Sequence, residues 1–226
     1  MPLTPARPAA PGQAMKERIL AAADRLFYLQ GIRAIGVDTV AAEVGISKRT
    51  LYNHFPSKDA LVAAYLSRRS VPVPPSDKSP LDQLLGAFDR LARASGRADY
   101  RGCPFVNAVA ELGNEDHTAR RIALDFKESR RLWVRGLLIQ LGAADADALA
   151  TQIVVLIDGA ITTDLVRRDP AMAQAAKAAA QVLLRNAGVR VDAPAAMARQ
   201  VPRAAATPRH PRKAARPARA SRGHAS

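Results

Sequence analysis

The chain has 226 residues, enough for one domain or two small ones sharing a core, and 48% of them are apolar while only 4% are aromatic. Much of the apolar content is alanine, which favours closely packed helices, and no run of alternating β-branched residues suggests a strand. A formal charge of +14 points to a polyanionic partner, nucleic acid or an anionic membrane surface, and the single cysteine excludes an internal disulfide and a four-cysteine zinc site.

Residues 1–12, rich in proline and alanine, read as a disordered arm without the apolar core of a signal peptide. The spacing of Ile19, Leu20, Ala23, Leu26 and Phe27 predicts a first helix over 13–30, with Gly31 as its stop. A short helix over 37–44 ends at Gly45, a third begins at Ser47 and stops before Pro56, and Ser57 caps a fourth that continues to about residue 69. Four prolines in "VPVPPSDKSP" make residues 70–79 a linker. Ser79 and Pro80 then open a helix carrying Leu81, Leu84, Leu85, Phe88 and Leu91, and further helices are expected over 104–112, 118–141, 145–168 and 170–187.

The stretch "GISKRTLYNHFPSKDAL" has the organisation of a helix-turn-helix. Gly45 can take the positive φ that the sharp turn needs, and Ala41 and Ala42 let the two helices approach. Ile46, Leu51 and Phe55 would face inward and leave a polar, basic face outward. By charge alone that face reads equally as a solvated surface. If it enters a major groove N-terminus first, Lys48, Arg49, Thr50 and Asn53 are placed to read bases, since Arg or Lys pairs with guanine and Thr meets the thymine methyl. Ser47, Tyr52, His54 and Lys58 suit phosphate oxygens, which fix register and carry no sequence information.

The run "VAAEVGISKRTLYNHFPSKDALV" resembles the DNA-binding signature of the TetR family of bacterial transcriptional repressors, through Ala41, Gly45, Ser47, Thr50, Leu51, Tyr52, His54, Phe55, Ser57, Lys58 and Leu61. Gly36 stands where many members begin the second helix with Thr or Ser, and Arg49 where relatives often carry a small residue. The resemblance implies an all-α fold: an N-terminal three-helix helix-turn-helix DNA-binding domain over 13–69 and a helical ligand-binding and dimerisation domain over 80–189. It implies no enzymatic activity and no cofactor. The partners it implies are a double-stranded, pseudo-palindromic DNA operator, a second copy of the chain and a small-molecule effector.

Within the second half, "ALATQIVVLIDGAITTDL" is apolar almost all round at first and should be buried on two sides, and an alanine-rich helix follows it. The pair suits a four-helix dimer interface. No apolar run is taken to approach the 18 residues of a membrane span, so no membrane partner is expected and the setting is cytoplasmic. Cys103, Phe105, Asn107, Glu111, Phe126, Trp133, Asp158 and Thr162 are the candidate pocket residues. Asp158, a carboxylate in an apolar helix, needs a partner. Cys103 at a helix start could instead be a redox switch, and Phe126 and Trp133 could be plain core. No metal-binding spacing stands out. An all-helical enzyme would need a nucleophile–base pair that is not recognisable here.

From Arg190 to Ser226 there are nine Lys or Arg and one acid, so +8 of the charge falls on a segment that cannot build a core. It is either a solubilising disordered tail or a sequence-blind phosphate contact, and if the latter dominated, the protein would be an architectural nucleic-acid binder. A phosphate contact predicts that DNA affinity falls more steeply with salt for the full chain than for one ending at Arg190. Equal slopes in a salt titration would rule it out.

Overall fold

Proline and glycine divide the chain into helices whose ends follow local chemistry. The computed structural model describes residues 11–113 and 117–191, and among these it contains nine helices and no strand. They are α1 (Pro11–Gln30), α2 (Val37–Val44), α3 (Lys48–His54), α4 (Lys58–Arg69), α5 (Pro80–Ser95), α6 (Pro104–Leu112), α7 (His117–Gln140), α8 (Ala146–Arg167) and α9 (Ala171–Asn186). The basic tail lies outside the described residues except at its first two positions, and Val191 there is buried with Val189 against the helices. The arm over 1–12 also lies outside them, except that α1 already begins at Pro11.

The caps explain the boundaries. Ser47, Ser57, Ser79 and Asp145 each accept a hydrogen bond from the backbone N–H three residues on, satisfying a donor that the helix itself leaves free. Helix α9 departs from the expected pattern. Pro170 holds its cap position without a side-chain bond, and the Asp169 carboxylate accepts from the Ala171 N–H instead. Gly45 sits at φ 75°, and the N–H groups of Gly45 and Ile46 close the end of α2 on the Ala42 and Ala41 carbonyls. Ala41 is buried at that joint while Ala42 faces outward.

Two cores form. The first joins Ile19, Phe27, Val40, Leu51, Leu61 and Tyr65 of α1–α4 with Phe105 and Ala108 of α6 and Ala119 and Ala123 of α7. The second gathers Leu84 and Phe88 of α5, Val134 and Leu138 of α7, Ile153 of α8 and Leu184 of α9. Helix α7 therefore runs through both. Helix α6 and the first turns of α7, beyond the proline linker in sequence, complete the core of the first four helices.

Helix α8 corrects one expectation. An 18-residue window within it reaches a mean hydropathy of 1.6, so by length and composition it could cross a membrane. Its Leu149, Ala150, Ile153 and Ala160 are buried within the chain. The other side is not: Val155, Gly159, Thr162 and Val166, spaced at helical intervals, form an exposed stripe. Among the described residues, one face only is covered by the other helices.

An alanine at position 45 would meet no neighbouring atom, so its cost is the left-handed backbone alone. Gly45→Ala is expected to destabilise the fold by about 1 kcal/mol in urea unfolding.

Candidate functional site

The basic face of α3 is held by three local devices. Leu51 is fully buried and Phe55 nearly so, which anchors one side of a seven-residue helix too short to persist alone. Ser47 caps it, accepting from the Thr50 N–H at 3.1 Å, and the Ser47 and Thr50 hydroxyls lie 2.9 Å apart. Lys48 reaches back to α2, its Nζ donating to Asp38 Oδ2 at 3.0 Å, and this hydrogen bond raises the lysine above its usual pKa. Lys48, Arg49, Tyr52 and Asn53 are exposed, while Thr50, His54 and Lys58 are half-buried. All lie within one short segment, with Ser47 at its start and Lys58 at the start of α4. Gly36 occupies the cap position of α2 and offers no side-chain bond.

Behind this face, α1 is tied to the rest of the chain by polar links. Arg69, at the end of α4, holds Asp24 of α1 through Nε at 2.6 Å and Nη2 at 2.9 Å, and its guanidinium lies 4.3 Å from the Tyr28 ring centroid. Burial alone would lower the Arg69 pKa; the Asp24 bonds and the flanking tyrosines outweigh it and leave it raised. The Tyr28 hydroxyl accepts from the Arg101 N–H and donates to the Gly102 carbonyl, fixing the loop before α6. Burial pushes the Tyr65 hydroxyl well above its ordinary value.

A cavity of about 420 Å³ lies between α5, α6, α7 and α8. Its apolar walls include Leu91, Phe105, Phe126, Trp133, Val154 and Ile157, with Phe105 and Phe126 stacked at 3.8 Å. Arg69, Arg90, Lys127, Arg130 and Asp158 bring charge to it. Of the eight expected pocket residues, Cys103, Phe105, Phe126, Trp133 and Asp158 line this space. Cys103 is buried and takes the cap position of α6, with no side-chain capping bond.

The other three lie elsewhere. Asn107 and Glu111 are one turn apart on a different face of α6 from Phe105, turned towards α1. Glu111 Oε2 accepts from the Arg33 N–H at 2.9 Å, and Asn107 Nδ2 donates to the Arg101 carbonyl at 2.7 Å. Both are joints between segments. Thr162 belongs to the exposed stripe of α8, its hydroxyl donating to the Asp158 carbonyl.

Asp158 is also not the buried carboxylate expected in an apolar helix: its side chain is 38% exposed and paired with Lys127 of α7. The buried acid is Asp164, 1% exposed, whose two carboxylate oxygens have no hydrogen-bond partner among the described residues. Burial first, and the Asp164 charge second, push the Tyr100 hydroxyl up to about 12. Sequence reasoning also missed Arg130, although it sits between Phe126 and Trp133 at positions i, i+4 and i+7, the spacing of one helix face. Arg69 and Arg90 carry no such signal.

A capped recognition helix on a three-helix support, backed by a helical domain with a largely apolar cavity, defines a helix-turn-helix transcription regulator that binds DNA. Residues 19–65 match the family described as bacterial regulatory proteins of the tetR family, and residues 80–179 match the C-terminal domain of LmrA/YxaF-like transcriptional regulators. A TetR-type transcriptional regulator from Streptomyces avermitilis, solved by crystallography, is 32% identical with a TM-score of 0.71, over 78% of this chain and 99% of that one. The transcriptional regulator YjdC of Escherichia coli is 26% identical over 184 residues, 77% of this chain and 96% of its own length. The transcriptional repressor KstR2 of Mycolicibacterium smegmatis is 28% identical over 160 residues, 64% of this chain and 70% of its own. The chain belongs to the TetR family of transcriptional regulators.

Replacing Asp164 removes a buried carboxyl group that has no hydrogen-bond partner among the described residues. Asp164→Asn is expected to raise the stability measured in urea by on the order of 1 kcal/mol. A loss of stability would mean that the carboxylate is held by an interaction of its own.

Proposed function

We propose that this chain is a homodimeric, cytoplasmic repressor that holds a pseudo-palindromic operator through two copies of α3 and releases it when a small molecule occupies the cavity. The observation that carries the reading is Arg69. Its side chain lines the cavity and at the same time binds Asp24 of α1, the helix that supports α3. A molecule entering the cavity meets the residue that orients the DNA-binding helices, so occupancy and helix orientation share one side chain. For release, the occupant must bind the non-matching arrangement better than the DNA-matching one.

On DNA, Lys48, Arg49, Thr50 and Asn53 read base edges, and Ser47, Tyr52, His54 and Lys58 hold phosphates. Lys48 exchanges Asp38 for DNA on binding. Two copies join through α8 and α9, whose uncovered valines, Val155, Val166 and Val182, would otherwise stay in water. The two recognition helices then address half-sites about one helical turn apart,. Repression is supported by the KstR2 relative, named as a transcriptional repressor.

The test is selection of bound fragments from genomic DNA by the full chain. Arg49→Ala should weaken the selected fragment by on the order of 1–3 kcal/mol and change its preferred bases, with a much smaller effect on scrambled DNA. Arg69→Met, which keeps the stem but strands Asp24, should weaken binding of the fragment as well as its response to an effector. Equal loss on both DNAs after Arg49→Ala would instead mark a sequence-blind binder.

A further inference from the structure

The charges around the cavity do not balance. Four cationic side chains line it: Arg69, Arg90, Lys127 and Arg130. Arg69 is matched by Asp24, and Lys127 by Asp158. Arg90 and Arg130 are matched by no carboxylate among the described residues. Arg90 makes no hydrogen bond or ion pair there. Arg130 donates once, from Nη2 to the Val71 carbonyl at 2.8 Å, and lies 4.8 Å from the Phe126 ring centroid. Burial, and then the neighbouring Arg90 charge, depress the Arg130 pKa below the ordinary arginine value. The protein therefore places like charges together and leaves most of their donors unused, although a guanidinium is suited to grip a carboxylate with two parallel bonds.

Position makes the pair more specific. Arg90, Arg130 and Trp133 line the inner cavity and also an outer cleft beneath the proline segment, where Lys78 adds a further cation. They stand at the passage between an apolar chamber and a basic entrance. An entering molecule would keep its charged end at the arginines and its apolar body against Phe105, Phe126, Val154 and Ile157.

We infer that the effector is an amphipathic organic anion, a carboxylate on an aliphatic or aromatic body, with its head group held between Arg90 and Arg130. This rests on the reading of the cavity as the effector site. A neutral or cationic ligand of the same shape leaves half-buried Arg130, with exposed Arg90 beside it, without a counter-charge, which is the basis of discrimination.

Trp133 is the only tryptophan in the chain and lines the passage, so its fluorescence reports occupancy directly. The full chain is titrated with decanoate, decan-1-ol and decylamine. Decanoate is expected to saturate the signal at a concentration about tenfold or more below that of the alcohol, with the amine weakest. Arg90→Gln, which removes the charge at a residue bonded to nothing else, should bring decanoate close to the alcohol while leaving the alcohol nearly unchanged. Arg90→Lys should keep the preference and shows that charge, not a damaged fold, is responsible. The inference is overturned if the alcohol binds as well as decanoate, if Arg90→Gln binds decanoate unaltered, or if no probe moves the Trp133 signal. Anisotropy of the selected DNA fragment, read in parallel, separates the two readings. Charge-selective binding without DNA release supports the anion site and defeats the effector reading; release by the alcohol alone defeats the anion site and leaves the effector reading standing.

Discussion

The pairing of Arg69 with Asp24 is the constraint on which the arrangement of the DNA-binding helices depends. It joins the end of α4 to the middle of α1 by two hydrogen bonds, with Tyr28 and Tyr65 packed around the guanidinium. Half-burial makes the pair costly to break, because either partner left alone would be a desolvated charge. Around it are further ties: Arg25 to Glu43 between α1 and α2, Arg68 to Glu17 between α4 and α1, and Arg18 to the Val44 carbonyl. These others are exposed and individually weak. The orientation of α3 thus rests on these neighbours as well as on its own buried Leu51 and the Lys48 bond to α2.

The two cores give this support its reach. Because α6 and the start of α7 complete the first core, the helices that carry the basic face are packed directly against the segment that walls the cavity. Phe105 belongs to both: it is buried in the first core and stacks on Phe126 at the cavity. Glu111 and Tyr28 add polar bonds across the same seam. Packed interiors shift between discrete arrangements and do not deform smoothly, so a change at Phe126 or Arg69 has a short path to α1.

Much of the fold was legible because its signals act within a turn or two. Gly45, the serine caps at 47, 57 and 79, and the 3.6-residue spacing of the leucines each specify backbone locally, and the helices begin and end where those residues stand. The basic face of α3 was legible for the same reason: Leu51 and Phe55 go inward, so Arg49, Tyr52 and Asn53 must go out. The cavity was legible only in part. Phe126 and Trp133 revealed themselves by sharing a helix face, whereas Glu111 was read as a pocket group because nothing local says that it bonds the Arg33 backbone, 78 residues away.

The acids of α8 show where the division falls. By itself the sequence determined that an apolar helix would carry Asp158 and Asp164, since composition and periodicity are properties of one segment. Only the tertiary structure decided that Asp158 pairs with Lys127 near the surface while Asp164 is enclosed beside Tyr100. The same holds for Arg69, Arg90 and Arg130, which look alike along the chain. One is neutralised by Asp24 and two are left facing a chamber, because burial and charge pairing are set by helices that meet from distant parts of the chain.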